Sequence, residues 1–158
     1  MTPRPAADAL IEGLETAGIP YQTVPHERTL TALAEARALG VEPAEVAKTV
    51  LLQTPAGFVR AVIPASEKVD LAKVRKALEE ERVTLLTEAA LADAYPEFEL
   101  GAVPPLGGAH EDRVVVDTGV CDHEYVLLEA GTHEGSVRIA SAHLAAHRSA
   151  RVADICVD

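Results

Sequence analysis

The chain has 158 residues, a formal net charge of −11, and 48% hydrophobic against 25% charged residues. That balance excludes global disorder, collagen-like sequence and a disulfide scaffold, and the length suits one domain spanning residues 1–158 whose core needs no staple. No apolar run approaches the ~20 residues that span a bilayer, the N-terminus has no signal-peptide profile, and the acidity argues against broad nucleic-acid binding, so the expectation is a cytoplasmic protein with neither membrane nor DNA as partner.

Ala6 to Ala17 places Leu10, Ile11, Leu14 and Ala17 on one helical face, with Gly18 as a stop. Tyr21 to Val24 is a short strand candidate before Pro25, and a second helix runs from Thr31 to Leu39, ended by Gly40. Pro43 to Val46 suits a short helical turn. The runs 47–54 and 58–63, separated by Pro55-Ala56-Gly57, read as a β-hairpin. Asp70 is a good N-cap for a helix to Leu78, and Thr87 for one to Ala94, with a short strand, Val83 to Leu86, between them. Residues 100–109 carry two prolines and three glycines and exclude regular structure. Three strands follow, Arg113–Asp117, Tyr125–Glu129 and Ser136–Ile139, then a helix capped by Ser141 to His147 and an extended segment from Val152 to Val157. Hairpins mixed with helical crossovers predict an α/β (mixed α+β) domain with a mixed sheet.

Charge is unevenly spread. Residues 60–82 hold six of the fourteen basic side chains, Arg60, Lys68, Lys73, Arg75, Lys76 and Arg82, which reads as a local basic face able to meet a polyanion. Residues 83–135 hold only Arg113 against eleven acids. Cys121 and Cys156 form no CxxC and suit a reducing compartment. Tryptophan is absent and aromatic residues are 3%, which disfavours base-stacking platforms.

Three places hold residues suited to chemistry. Lys48 opens an apolar strand, where a lysine is either a solvated edge or an anion anchor. The loop Gly101 to Gly108 combines backbone-fixing prolines with glycines that admit close ligand approach, and such a loop can aim N–H groups at a carbonyl or oxyanion. Ala130-Gly131-Thr132-His133 follows the strand YVLLE, at a strand end where binding residues often collect. No cofactor motif is present: the loop is neither a Walker loop nor GxGxxG, there is no GxSxG elbow, and the His143/His147 pair lacks the glutamate of HExxH. Cys121-Asp122-His123 is read as turn sequence, so no metal is expected.

These features stand in a set order: a helical segment leading into AKTVLL around Lys48, a GxxxPxG loop of Gly101, Pro105 and Gly107, and VLLEAGTHEGSVRI. In that order they resemble the YbaK/ProRS-associated family, the free-standing and inserted editing domains for misacylated tRNA. The similarity runs from about Tyr21 to Ile155, with PHERTLTALAEARALGVEPAEVAKTVLL and VIPASEKVDLAKVRKAL as its N-terminal and central parts. The resemblance implies a compact domain with an irregular mixed sheet wrapped by helices. It also implies hydrolysis, without metal or cofactor, of the ester between a wrong small amino acid and the terminal adenosine of tRNA, with a synthetase as a further partner. By the same resemblance Lys48 would anchor the terminal phosphate or ester oxygens, and backbone groups of Gly101 to Gly107 would hold the carbonyl. His133 would line the amino-acid pocket. Val50, Val62, Ile63 and Val103, with Pro104, Gly131 and Thr132, would form the rest of it. Two other classes stay open: a non-enzymatic module binding an amino acid, nucleotide or synthetase, and a metal-dependent hydrolase using His133 with Cys121 or His123.

Overall fold

Capping side chains and glycines set the element ends. The computed structural model describes residues 6–109, 112–147 and 150–158. In chain order it contains α1 (Asp8–Ala17), β1 (Gln22–Pro25), α2 (Ala32–Leu39), a 3-10 turn (Pro43–Glu45), β2 (Val46–Thr54), β3 (Gly57–Pro64), α3 (Leu71–Leu78), β4 (Thr84–Leu85) and α4 (Glu88–Ala94). After a long irregular segment come β5 (Arg113–Asp117), a second 3-10 turn (Thr118–Asp122), β6 (Tyr125–Glu129), β7 (Gly135–Ala140), α5 (Ser141–Ala145) and β8 (Ala150–Ala153). Thr31, Asp70 and Thr87 cap their helices by accepting N–H bonds in the first turn, as their side-chain oxygens predict. Gly18 and Gly40 end α1 and α2 in the left-handed region.

One sheet runs in the order β1-β7-β6-β2-β3-β5-β8, with β4 added to β2. The β2–β3, β6–β7, β1–β7 and β2–β4 pairs are antiparallel; β2–β6, β3–β5 and β5–β8 are parallel. Alternation along the strands sorts side chains between two faces. Ala47, Leu51, Val62, Val114, Val116, Val126 and Leu128 pack with Leu10 and Leu14 of α1, Leu144 of α5, Tyr95 and Phe98. On the other face Leu52, Val59, Ala61, Ile63 and Val115 pack under Val74 and Leu78 of α3, and Val46 and Leu127 pack under Ala32 and Ala36 of α2.

Three expectations change. Ser141 is the first residue of α5, not its cap; Ala140 holds that place, and the Ser141 hydroxyl donates to the His123 carbonyl at 2.5 Å. The final strand is β8 at 150–153 rather than 152–157, because Val114 to Asp117 of β5 pair with it in parallel, while Cys156 makes an isolated bridge to Val69. The basic face is smaller than the sequence suggests. Arg60 is 1% exposed. Lys73 is turned to the C-terminus, bonding Asp154, the Cys156 carbonyl and Asp158 at 3.1, 2.7 and 2.6 Å. Lys68, Arg75, Lys76 and Arg82 remain at the surface.

Candidate functional site

Strand β2 has two partners along one edge. Val46 and Ala47 pair with β6, and Leu52 and Gln53 pair with β4. Between them, Lys48 to Leu51 have no strand on that side among the described residues, so the sheet is open there. The register that sets Ala47 opposite Leu128 brings Lys48 level with Glu129, where β6 ends. The Thr49 N–H, which a neighbouring strand would otherwise accept, donates to the Glu129 carboxyl. Among the described residues the Lys48 ammonium has no hydrogen-bond or ion-pair partner, yet it lies close enough to lower the proton affinity of Glu129. The Thr49 hydroxyl is buried and has no hydrogen-bond partner among the described residues.

The chain leaves β6 through Gly131, whose φ is +82° and whose Cβ would lie 2.6 Å from Phe98 and 2.7 Å from Ala7. Only glycine fits that position. The turn is tied to the backbone on both sides of Gly101. Gly131 N–H donates to the Ala102 carbonyl at 2.8 Å, and Glu99 N–H donates to the Gly131 carbonyl at 2.8 Å. His133, 8% exposed, places Nε2 2.7 Å from the Leu100 carbonyl. A carbonyl only accepts, so Nε2 carries a proton, which leaves Nδ1 as the one ring nitrogen able to act as a base. The Cβ direction of Gly101 points at His133, 3.6 Å from Cε1. Gly101, Gly131 and His133 therefore converge.

The distal half of the 101–107 loop lies elsewhere. Gly107 packs on α1, where a Cβ would come within 2.7 Å of the Ala9 carbonyl. Pro105 and Gly107 line a cavity of about 910 Å³ between α1 and α5, together with His143 and His147; neither Lys48 nor His133 reaches it. Arg60, from the middle of β3, holds this half of the loop from below. Its Nη1 donates to the Pro104 carbonyl at 3.0 Å, its Nη2 to the Gly107 carbonyl at 2.7 Å and its Nε to Asp112 at 2.9 Å. The guanidinium stacks 5.2 Å from the ring centre of Tyr95, whose hydroxyl also donates to Asp112. Sequence reading assigned Arg60 to the surface because it opens a run of basic residues. Its place in FVRAVIP, flanked by strand residues that are buried on both faces, is the signal that corrects it.

The residues expected to line one apolar pocket divide between two faces. Val50 and Ile63 belong to the cluster under α3; Val62 and Val103 belong to the cluster under α1 and α5. Consecutive strand residues point opposite ways, so Val62 and Ile63 cannot share one cavity wall. Thr132 sits beside His133 with its hydroxyl accepting from the Glu134 N–H at 3.4 Å. Among the described residues no group of three His, Cys, Asp or Glu side chains is placed to hold a metal ion, and no helix is long and apolar enough to cross a membrane.

Residues 26–146 match the family model of the aminoacyl-tRNA editing domain. The chain belongs to that family. Solved structures agree on the fold. A proposed trans-editing enzyme for prolyl tRNA synthetase superposes with a TM-score of 0.88 at 23% identity, covering 99% of this chain and 100% of the other. A scaffold protein used to present grafted linear epitopes gives 0.82 at 24% identity over 99% of each chain. A hypothetical protein gives 0.86 at 21% identity over 95% of this chain and all of its own.

Beside Lys48 this editing domain buries a group of acids. Ser136, the cross-strand partner of Glu129, donates its hydroxyl to Glu35 of α2 and stands 3.1 Å from His26 Nε2. Burial raises the Glu35 carboxyl to about 7, against the bond from Ser136 that favours ionisation. Burial and the neighbouring Glu35 raise Glu129 as well. No motif marks these residues; a polar residue at an inward position of an apolar strand is their only sign in the sequence.

Two outcomes follow for the editing domain. The folded state holds a proton on Glu35 that the unfolded chain releases near 4.5, so stability falls as pH rises from about 4.5 to 7 and is then flat. Thermal melts of Glu35→Gln are expected to be flatter than wild type across this window, with a gain above pH 7 on the order of a few kcal/mol. Arg60→Met leaves Asp112 and two carbonyls buried without their cation and is expected to cost about 3–5 kcal/mol in urea unfolding. Arg60→Lys recovers only part, because an ammonium cannot reach three oxygens as a planar fork does.

Proposed function

We propose that this editing domain is a trans-acting deacylase that needs no metal. It hydrolyses the ester joining a small misacylated amino acid to the terminal adenosine of tRNA. One observation carries the reading most: a lysine without a hydrogen-bond or ion-pair partner among the described residues stands at the gap in the β2 edge, level with Glu129, where β6 runs out toward the turn that interlocks with the Gly101 segment. The Lys48 ammonium, half-buried and without a hydrogen-bond or ion-pair partner among the described residues, is placed to take an anionic or polar ligand group.

An aminoacyl ester is already activated. The site must hold the ester, exclude larger side chains and favour the developing oxyanion. Lys48 supplies positive charge for the terminal phosphate or the ester oxygens. Near Gly101, Ala102 N–H donates to the Glu99 carbonyl at 3.0 Å and Gly131 N–H to the Ala102 carbonyl. The Leu100, Gly101 and Val103 amides make no backbone hydrogen bond among the described residues, and Gly101, which faces the His133 ring, is the candidate oxyanion donor. His133 presents only Nδ1 as a base, since Nε2–H is held by Leu100. That favours a role in shaping the amino-acid pocket over proton abstraction. The acceptor end of tRNA would meet Lys68, Arg75, Lys76 and Arg82, and with so few cations the affinity would be modest and salt-sensitive, or shared with a synthetase.

The test is deacylation of Ala-tRNA(Pro), Cys-tRNA(Pro) and Ser-tRNA(Ala). Wild type is expected to hydrolyse one of them, and Lys48→Ala to lose the activity with an unchanged melting profile; unaltered turnover in that variant removes Lys48 from the mechanism. Flat decay of every ester with wild-type protein would instead favour a binding module. For His133→Ala the expected result is a change in preference among amino acids larger than the loss of rate. Wild-type selectivity would make His133 a bystander.

A further inference from the structure

The Gly101 and His133 segments are separated by thirty residues of chain, and a single acidic residue joins them. Glu99 N–H donates to the Gly131 carbonyl at 2.8 Å, and its carboxylate Oε2 accepts the His133 N–H at 2.5 Å. Its next neighbour, Leu100, offers the carbonyl that takes His133 Nε2–H at 2.7 Å. Glu99 thus grips the 131–133 turn at both ends, and the residue after it grips the imidazole. The outer oxygen, Oε1, meets Arg28 Nη1 at 3.3 Å, and Arg28 also reaches Glu134 at 3.6 Å. That outer ion pair is about half exposed and adds little. The inner bond, from a backbone amide to a carboxylate, is of the strong, charge-assisted kind.

We infer that Glu99 is a positioning residue of the editing site. Through the His133 amide it sets the separation between Gly101 and the His133 imidazole, and with it the size of amino acid admitted. This rests on the deacylase reading above for its consequence, although the geometric claim does not. Three contacts meet at Glu99: its side chain accepts the His133 amide proton, its own amide is on Gly131, and Leu100 after it faces the ring; only the first needs the side chain, and what it needs is an acceptor at that reach. Loss of the carboxylate releases the His133 amide while the Gly131–Ala102 bond and the Thr29 N–H bond to the His133 carbonyl at 2.9 Å persist, so the peptide before His133 can turn and the ring with it, but the strand end does not move.

The experiment compares wild type with Glu99→Ala, Glu99→Gln and Arg28→Ala. One readout is the ratio of kcat/KM for alanyl and seryl esters on one tRNA. The other is the tautomer of His133, read from its ring ¹⁵N shifts and assigned with His133→Ala. Glu99→Ala is expected to change the ratio about tenfold or more and to lose the single Nε2–H signature. Glu99→Gln, which keeps an acceptor for the amide, is expected to stay within about threefold of wild type, and Arg28→Ala likewise. An unchanged ratio and tautomer in Glu99→Ala, whatever its melting temperature, overturn the inference. Should that variant not fold, Glu99→Asp, one methylene short of the amide, carries the same test with the same criteria. If wild type hydrolyses no ester, the deacylase reading fails and the tautomer alone decides: a retained Nε2–H signature overturns the positioning role and a lost one supports it.

Discussion

Everything at the site depends on strand β2 having more edge than its partners cover. β6 covers only Val46 and Ala47 of β2, and β4 only Leu52 and Gln53, which leaves an open stretch in the middle of an otherwise continuous sheet. Open backbone in a core is expensive, because each buried N–H needs an acceptor. The molecule meets that need with a side chain, Glu129, rather than with another strand. This explains why the neighbourhood is acidic: a carboxyl acting as a strand must be buried with the strand, and burial then raises its proton affinity.

Most of the architecture could be read from local chemistry. Thr31, Asp70 and Thr87 announce three helix starts because their oxygens compete for orphan amides, and Gly18 and Gly40 announce two ends. The hairpin of β2 and β3 follows from two apolar runs around Pro55-Ala56-Gly57. The pairing of β2 with β6 and of β5 with β8 is different, since long-range parallel registers have no local signature. The last strand was therefore expected two residues too late. At the site, Lys48, the Gly101 loop and His133 stood out as residue types in sequence order. Glu99, Glu129, Ser136 and Arg60 did not, because an ordinary Glu, Ser or Arg acquires meaning only from the backbone groups brought against it. The assignment of Val62 and Ile63 to one pocket failed on the simplest rule of the strand, that neighbours face opposite ways.

Charge tells a related story. The sequence carries far more acid than base, but part of the base is spent inward. Arg60 is committed to Asp112 and two loop carbonyls, and Lys73 to the C-terminus. The count of basic residues therefore overstates what the surface can offer a polyanion, and of the basic stretch 60–82 only Lys68, Arg75, Lys76 and Arg82 are left outside.

The Arg60 fork has a further meaning for how such loops change over time. The carbonyls it holds are main-chain groups, so the side chains at 103–106 can vary while the hold persists. The reverse is not true: a loop of another length would shift the Pro104 and Gly107 carbonyls off a rigid guanidinium that is itself fixed by Tyr95 and Asp112. Loop and clamp therefore form one cassette, drawn from β3, the residue after α4 and the residue before β5. Anyone grafting the 101–107 segment into a relative would need to carry Arg60, Tyr95 and Asp112 with it.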